Sequence, residues 1–422
     1  MGDSCCEIDY FVQNKKVKNW IMGSYMKRIG ILVLYDQEGK YDNYIFYLIK
    51  ELQAVVERLV VVCNGLVEEQ SFARLQQCVV EVLVRENEGY DAGAYRHVLL
   101  EYLDKNELQQ YDEVIFCNDS FYGPFISLYD MLEEMNNKKC DFWGIECITR
   151  GIISSYIGSY FLVFRNRIIQ EKVLEEFFGR VLPVRLDTLK EAILYYEEGI
   201  FKYLLQLGYQ YDLLLGHVDY NILFYNPYGA IVKEKYPILK KKSFSEKFLR
   251  EDNMLHTLKK IRDDYPYDWN MIRENVERCH EITLWLKNEE GEFYLPTPFF
   301  SYEDERKEHP NFVSEAESKL FLSNIKQVYI YGAGAWGEKV AHDWYFNQLL
   351  HEYEVQFMGF MVSNKELTET NPNIYTIDEV EITEEIGIMV ALEWKTAQEV
   401  KPLLEKYKNV IYLLKIREGA KE

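Results

Sequence analysis

The residues best placed to do chemistry begin with a single carboxylate. Tyr111 to Pro124 reads YDEVIFCNDSFYGP, and its centre, Val114 to Cys117, is a continuous apolar run of the kind that forms a strand buried on both faces of a parallel sheet. Polarity switches on at Asn118, Asp119 and Ser120, and Tyr122-Gly123-Pro124 must then turn. A carboxylate where a buried strand runs out lies at the carboxyl end of the sheet, where open α/β folds bind ligands. The competing account of Asn-Asp-Ser is turn chemistry, with its side chains bonding nearby backbone. Glu197 is the second candidate. Thr188 to Leu207 reads as a helix stopped at Gly208, with Ile193, Ile200, Leu204 and Leu207 in one apolar stripe and Glu197 on it. Glu198 falls about 100° away, on a more exposed side. A carboxylate on a buried face is costly unless it is paired or used. Partial burial would raise its proton affinity towards working pH and suit it to general-base catalysis, whereas a neighbouring cation would make it merely structural.

The elements that must position these groups follow from periodicity. Ile29–Tyr35, Leu59–Cys63, Val79–Val84 and Tyr111–Ser120 read as strands, with Asn43–Val56, Glu68–Gln77 and Asp91–Leu103 as helices between them. Strands alternating with helices imply a parallel sheet wound by right-handed crossovers, a Rossmann-like nucleotide-binding half. If the strands are parallel, Tyr35-Asp36, Asn64, Asp91, Asn118 and Asp119 share one rim and form a crevice suited to a nucleotide. Asp91 is equally well placed to N-cap the helix that follows it, with its flanking glycines serving the turn. Further along, Ile126–Met135, Arg167–Phe178 and Thr188–Leu207 read as helices, Asp141–Ile145 and Ser159–Phe164 as strands, and Phe244–Leu286 as mainly helical.

Composition sets the bounds. The chain has 422 residues, 48% hydrophobic and 28% charged, with a net charge of −21. Its length fits two or three domains, and its charge excludes a general nucleic-acid binder, which needs a basic surface. No window reaches the roughly 18 apolar residues of a membrane span, and the start lacks a signal-peptide core, so a cytoplasmic protein is expected. Met1-Gly2 has Cys6 where an acylation signal needs Ser or Thr. Eight dispersed cysteines without a CxxC pair indicate neither zinc site nor disulfide framework. Lys15, Lys16 and Lys18, and again Lys240, Lys241 and Lys242, form basic clusters that read as solvated faces, with contact to anionic lipid or acidic substrates as the alternative.

Five motifs in order carry a family resemblance: Gly89-Tyr90-Asp91-Ala92-Gly93-Ala94-Tyr95, Asn118 to Pro124, Asp141-Phe142-Trp143-Gly144, Ser159-Tyr160-Phe161, and Glu197 with Gly208-Tyr209. Together they resemble rhamnan synthesis protein F, over roughly residues 30 to 300. The resemblance implies a GT-A glycosyltransferase domain whose acidic motif at the end of a central strand, here Asp119, holds Mg2+ or Mn2+ against the diphosphate of a nucleotide-sugar donor. Asn-Asp-Ser stands where many such enzymes have Asp-x-Asp, so one carboxylate is available locally. It further implies inverting transfer with Glu197 as base, dTDP-rhamnose as donor, and a glycan or lipid-linked glycan of the bacterial cell surface as acceptor. Peripheral contact at the inner face of the membrane would suit such an acceptor, although no amphipathic anchor stands out.

The chain is therefore expected to be α/β throughout: an arm over 1–28, a GT-A-like domain over 29–243, a helical extension and linker over 244–320, and a smaller Rossmann-like domain over 321–422. In the last, the strand Gln327–Tyr331 runs into Gly332-Ala333-Gly334-Ala335-Trp336-Gly337 and a helix over Glu338–Leu350, a GxGxxG able to bring a phosphate to a helix N-terminus. Gly332, Gly334 and Gly337 are its candidate nucleotide contacts. The strand that follows ends in Ser363-Asn364 and lacks the acidic residue a ribose would need. An NAD-dependent sugar oxidoreductase or epimerase and a non-catalytic polysaccharide-assembly protein are the alternative functions.

Overall fold

Runs of Val, Ile and Leu that alternate towards two faces build the principal sheet. In the computed structural model, which describes residues 26–78, 80–150, 153–297, 313, 315–363 and 373–414, its strands are β1 (Arg28–Leu34), β2 (Arg58–Asn64), β3 (Glu81–Arg85) and β4 (Glu113–Asn118), followed after a two-residue β5 (Phe121–Tyr122) by β6 (Phe142–Gly144). Then come β7 (Cys147–Arg150), β8 (Ile153–Ile157), β9 (Phe161–Arg165), β10 (Tyr211–Leu213), β11 (His217–Asp219) and β12 (Leu239–Lys240). Seven of these strands form the principal sheet, in the order β10-β6-β9-β4-β1-β2-β3, while β11-β7-β8 form a separate three-stranded sheet and β12-β5 a two-stranded one. β3, β2, β1 and β4 are mutually parallel, and β9 lies antiparallel between β4 and β6. This is a GT-A-like, Rossmann-type arrangement. Residues 1–25 of the expected arm and 298–312 of the expected extension and linker, with Lys15, Lys16, Lys18, Cys5 and Cys6, lie outside the described residues.

Each central strand feeds both faces. Leu32, Val61, Cys63, Ile115 and Cys117 enter one apolar cluster, closed by the helix Asn43–Gln53 and by Glu251–Asp264 and Asn270–His280 of the C-terminal extension. Ile31, Val33, Val60, Val62, Val114 and Phe116 enter the other, covered by Tyr90–His97 and the helices of 166–206. At roughly 1.5–3 kcal/mol for each fully buried large side chain, this two-sided burial fixes the register of the strands and hence the rim they share. The helix over Asp91–Leu103 begins one residue early and finishes as a π turn over Val98–Tyr102. The helix expected over Arg167–Phe178 is broken at Lys172, which adopts φ 57°.

A second, five-stranded parallel sheet joins β17 (Ile374–Thr376), β16 (Gln356–Val362), β15 (Gln327–Tyr331), β18 (Ile386–Val390) and β19 (Val410–Tyr412) in that order. A small hairpin of β13 (Leu286–Lys287) and β14 (Phe293–Tyr294) precedes it. The expected Glu338–Leu350 helix is two helices, Ala335–Ala341 and Trp344–Glu352, because Asp343 caps the second by accepting from the backbone of Tyr345 and Phe346. The hydroxyl of Tyr345 also lies 3.1 Å from Nδ1 of His217 on β11, a side-chain contact between the helix Trp344–Glu352 and the small β11-β7-β8 sheet. Among the described residues no helix is long and apolar enough to cross a membrane.

Candidate functional site

β4 ends at Asn118, and the residues just past it are held rather than free. Asn118 Nδ2 donates to Asp91 Oδ2 at 2.7 Å, while its Oδ1 accepts from the Ser120 backbone at 3.1 Å. One side chain thus closes the turn and clamps the 89–95 motif to the end of the strand. Asp91 does not cap its helix: Gly89 is the N-cap, at φ 76°, and Asp91 lies in the first turn. Tyr95 from the same motif stacks on Phe116, centroids 4.1 Å apart, and donates to Cys117 O at 2.9 Å. The helix is therefore pinned along β4, and burial, with Asp119 and Glu197 nearby, pushes the Asp91 carboxyl up to about 7. Both the turn and ligand readings of this cluster share the same geometry.

Glu197 arrives on a neighbouring helix over the same face of the sheet as Tyr90–His97, with Tyr196 5.9 Å from Tyr95 between ring centroids. Thr188 and Glu191 form a reciprocal capping box at the start of its helix, as a Thr-x-x-Glu spacing favours. A π turn over Ala192–Glu197 then adds a residue to the winding, and this changes which side chains face inward. Glu198, expected on the more exposed side, is the more buried of the pair and binds Lys202 at 3.1 Å, whereas Leu207 from the expected stripe is exposed. Glu197 is half-buried and accepts from Ser159 Oγ at 2.6 Å. Burial raises its carboxyl above the ordinary range, against the pull of that hydrogen bond and of Lys240.

Within the lysine run, Lys240 and Lys241 are not solvated, whereas Lys242 is exposed. β12 pairs antiparallel with β5, Lys240 opposite Phe121, and this pairing delivers Lys240 to Ser120 and Lys241 to Asp119. Lys240 is buried, donates to Ser120 Oγ at 2.8 Å and sits 3.9 Å from the centre of the Tyr160 ring. Burial pulls its ammonium down to about 8, opposed by Glu146, Glu197 and Asp91. Lys241 donates to Tyr44 OH at 2.7 Å and lies 3.4 Å from Asp119 Oδ2, which also accepts from Tyr44 at 3.3 Å. Beneath them Glu146 is fully buried, accepts from Tyr160, and is raised by burial against its tyrosine hydrogen bonds; Tyr160 meets Tyr236 at 2.6 Å. Sequence reasoning missed Tyr44 and Glu146 as site residues and held contact of Lys240 and Lys241 with acidic substrates only as the alternative to a solvated face. The one available signal was the apolar run Pro237-Ile238-Leu239 leading into the lysines.

Other expected rim residues have structural partners. Asp36 accepts from the backbone of Glu38 and Lys40 and pairs with Arg278 at 2.8 Å, tying the rim to the Asn270–His280 helix. Asn64 donates to Asn87 Oδ1 and Tyr90 O and accepts from Arg85, so it anchors the loop before Asp91. Tyr35 is half exposed at the end of β1. Asp119 does not fit a divalent ion as these side chains are arranged: its Oδ2 faces the Lys241 ammonium, and among the described residues no three His, Cys, Asp or Glu side chains gather to hold a metal.

In the C-terminal sheet, Gly332 follows β15 at φ 115°, and a Cβ on Gly337 would lie 1.8 Å from the Gly332 carbonyl oxygen. These two glycines are required by the turn and by helix packing, while Gly334 is the N-cap and has open space around it. Tyr331 donates to Ser363 Oγ at 3.1 Å, where an acidic residue would face a ribose.

No curated protein matches the chain. Among solved structures, it is similar to the glycosyltransferase GlyE of Streptococcus pneumoniae TIGR4, with 13% identity, 94% of each chain covered and a TM-score of 0.33. It is also similar to glucosyl-3-phosphoglycerate synthase of Mycobacterium tuberculosis, a structure with Mn2+, UDP and glucosyl-3-phosphoglycerate, at 12% identity over 46% of this chain and 70% of that one, TM-score 0.28. Residues 59–309 match the family described as Rhamnan synthesis protein F, which spans the strand-end motifs, Glu197 and the lysine run, and the chain belongs to that family.

Proposed function

We propose that the protein is an inverting glycosyltransferase that moves a sugar, rhamnose from dTDP-rhamnose, onto a glycan or lipid-linked glycan in cell-surface polysaccharide synthesis. Sugar transfer from a nucleotide sugar is the activity that family and fold support. The observation that carries the finer reading is Glu197, half-buried with its proton affinity raised and oriented by Ser159, across from the strand-end group Asp91, Asn118 and Asp119.

In this reading residues 29–243 form the transferase, 244–320 its extension and 321–422 an appended unit. Tyr35, Asp36, Asn64, Asp91, Asn118 and Asp119 line the donor side, with Asp36 and Asn64 shaping the rim through their partners. Glu197 takes the proton from an acceptor hydroxyl; that oxygen attacks the anomeric carbon as the bond to the β-phosphate oxygen breaks. The electron pair leaves on the nucleoside diphosphate, the proton rests on Glu197, and one displacement inverts the anomeric configuration. The Mg2+ or Mn2+ that the resemblance attaches to Asp119 enters no step here, because Lys241 already faces that carboxylate. The enzyme would act in the cytoplasm, in peripheral contact with a membrane that carries the acceptor. The C-terminal Gly332, Gly334 and Gly337 loop has no part in the transfer.

The test is release of nucleoside diphosphate from dTDP-rhamnose and from UDP-sugars in the presence of rhamnose-containing oligosaccharides, with the product's anomeric configuration read by NMR. Transfer with inversion from one donor supports the reading. Turnover of NAD by the purified chain, with no transfer from any nucleotide sugar, would overturn it.

A further inference from the structure

Breaking a bond to a diphosphate places charge on phosphate oxygens, which must be neutralised to make the diphosphate a competent leaving group. The site carries three ammonium groups in consecutive residues. β5–β12 pairing sets the Lys241 backbone N–H on the Ser120 carbonyl at 3.1 Å and places the lysine side chains around the end of β4. Lys240 reaches Ser120 Oγ, Lys241 reaches Asp119 and Tyr44, and Lys242 lies over the Phe224 and Phe248 rings, 5.6 and 5.2 Å from their centres.

We infer that Lys241, aimed by Asp119 and Tyr44 and flanked by Lys240 and Lys242, is the phosphate-binding group of this site, so that Asp119 acts through a lysine rather than through a divalent ion. The inference rests on the transferase reading above and specifies how its donor is held. Lys241 has the geometry of a held cation: two oxygen partners fix the ammonium, and its third N–H is left to donate. Asp119 alone would be a single carboxylate in a sheet-end loop; with Lys241 3.4 Å away it becomes the counter-ion that keeps that lysine charged and directed. Tyr44 completes the triangle from the helix after β1, an element that the apolar core fixes independently of any ligand. Lys240 is too buried to be the primary contact and is better suited to holding Ser120 and the acids around it in place.

The test is calorimetric titration of the full chain with UDP and with dTDP, each in EDTA and in Mn2+. Binding of one nucleotide in EDTA, with affinity changed by less than about threefold in Mn2+, is expected. In EDTA, K241M should weaken that binding by about tenfold or more while K241R stays within a few fold, as a lost charge-assisted contact requires. Binding that appears only with Mn2+ would overturn the lysine assignment and leave the transferase reading standing. Failure of both UDP and dTDP to bind in either EDTA or Mn2+ would overturn both. The wild-type EDTA comparison needs no variant to fold, and equal affinity of K241M and wild type would also sink the inference.

Discussion

Ser159 Oγ donates a hydrogen bond to Glu197 Oε1 at 2.6 Å, joining the turn before β9 to a helix 38 residues further along the chain. A bond to the charged form of a carboxylate lowers its pKa, while the burial around Glu197 raises it, and burial is the larger effect. The pair therefore tunes and orients a base that must be unprotonated to work.

Glu197→Gln should lower kcat by about 10²–10⁴-fold with donor affinity nearly unchanged, the range for loss of a general base. In the wild type, the rate should rise with pH through an apparent pKa above the ordinary carboxylate range. Ser159→Ala removes the bond that favours the carboxylate, so this acid limb should move to higher pH. A limb that stays in place would mean that Ser159 has no hold on the base.

Asp91 offers a stability test. Its carboxyl is raised from 3.8 to about 7, so the folded state binds the proton more tightly than the unfolded one. Its contribution is fully present below the unfolded value and is lost as pH rises towards the folded one. Asp91→Asn keeps an acceptor for Asn118 but removes the titration. The stability of D91N relative to wild type should grow between about pH 4 and pH 7 by up to ~4 kcal/mol and level off above. Urea melts across that range would show it, and a pH-independent difference would contradict the placement of Asp91.

Arg278 binds Asp36 and Asp42, both at 2.8 Å, with all three side chains largely out of solvent. The pairing implies that Asp36 acts on the fold of the rim before it acts on any ligand. A double-mutant cycle on Asp36→Ala and Arg278→Ala should give a coupling energy of about 1–2 kcal/mol. Additive effects on unfolding free energy would show that the two side chains act independently.

Gly337→Ala places a methyl on the Gly332 carbonyl and should cost about 3 kcal/mol or more locally. Hydrogen exchange should show loss of protection in β15 and β16, with β1 and β4 unchanged. Equal loss in both sheets would mean that the two unfold as one cooperative body.

The chain itself determined the parallel half of the fold and the rim on which its polar residues gather. The runs Ile29–Leu34, Leu59–Cys63 and Val114–Cys117 can be satisfied only by burial on two faces, and a strand that ends in Asn118-Asp119 must end at that rim. Local periodicity carries this information because each strand and helix is stabilised along its own length. The partners of those residues were decided elsewhere. Lys240 and Lys241 read as surface until β12 pairs with β5 across more than a hundred residues, and no local pattern encodes such a pairing. The Asn118–Asp91 clamp and the Arg278–Asp36 pair likewise arise where packed elements meet. Glu197 and Glu198 exchanged their expected exposure because one π turn adds a residue to a helix whose faces had been counted at 3.6 per turn, so the identity of the acid was readable from its spacing and its environment only from the packed structure.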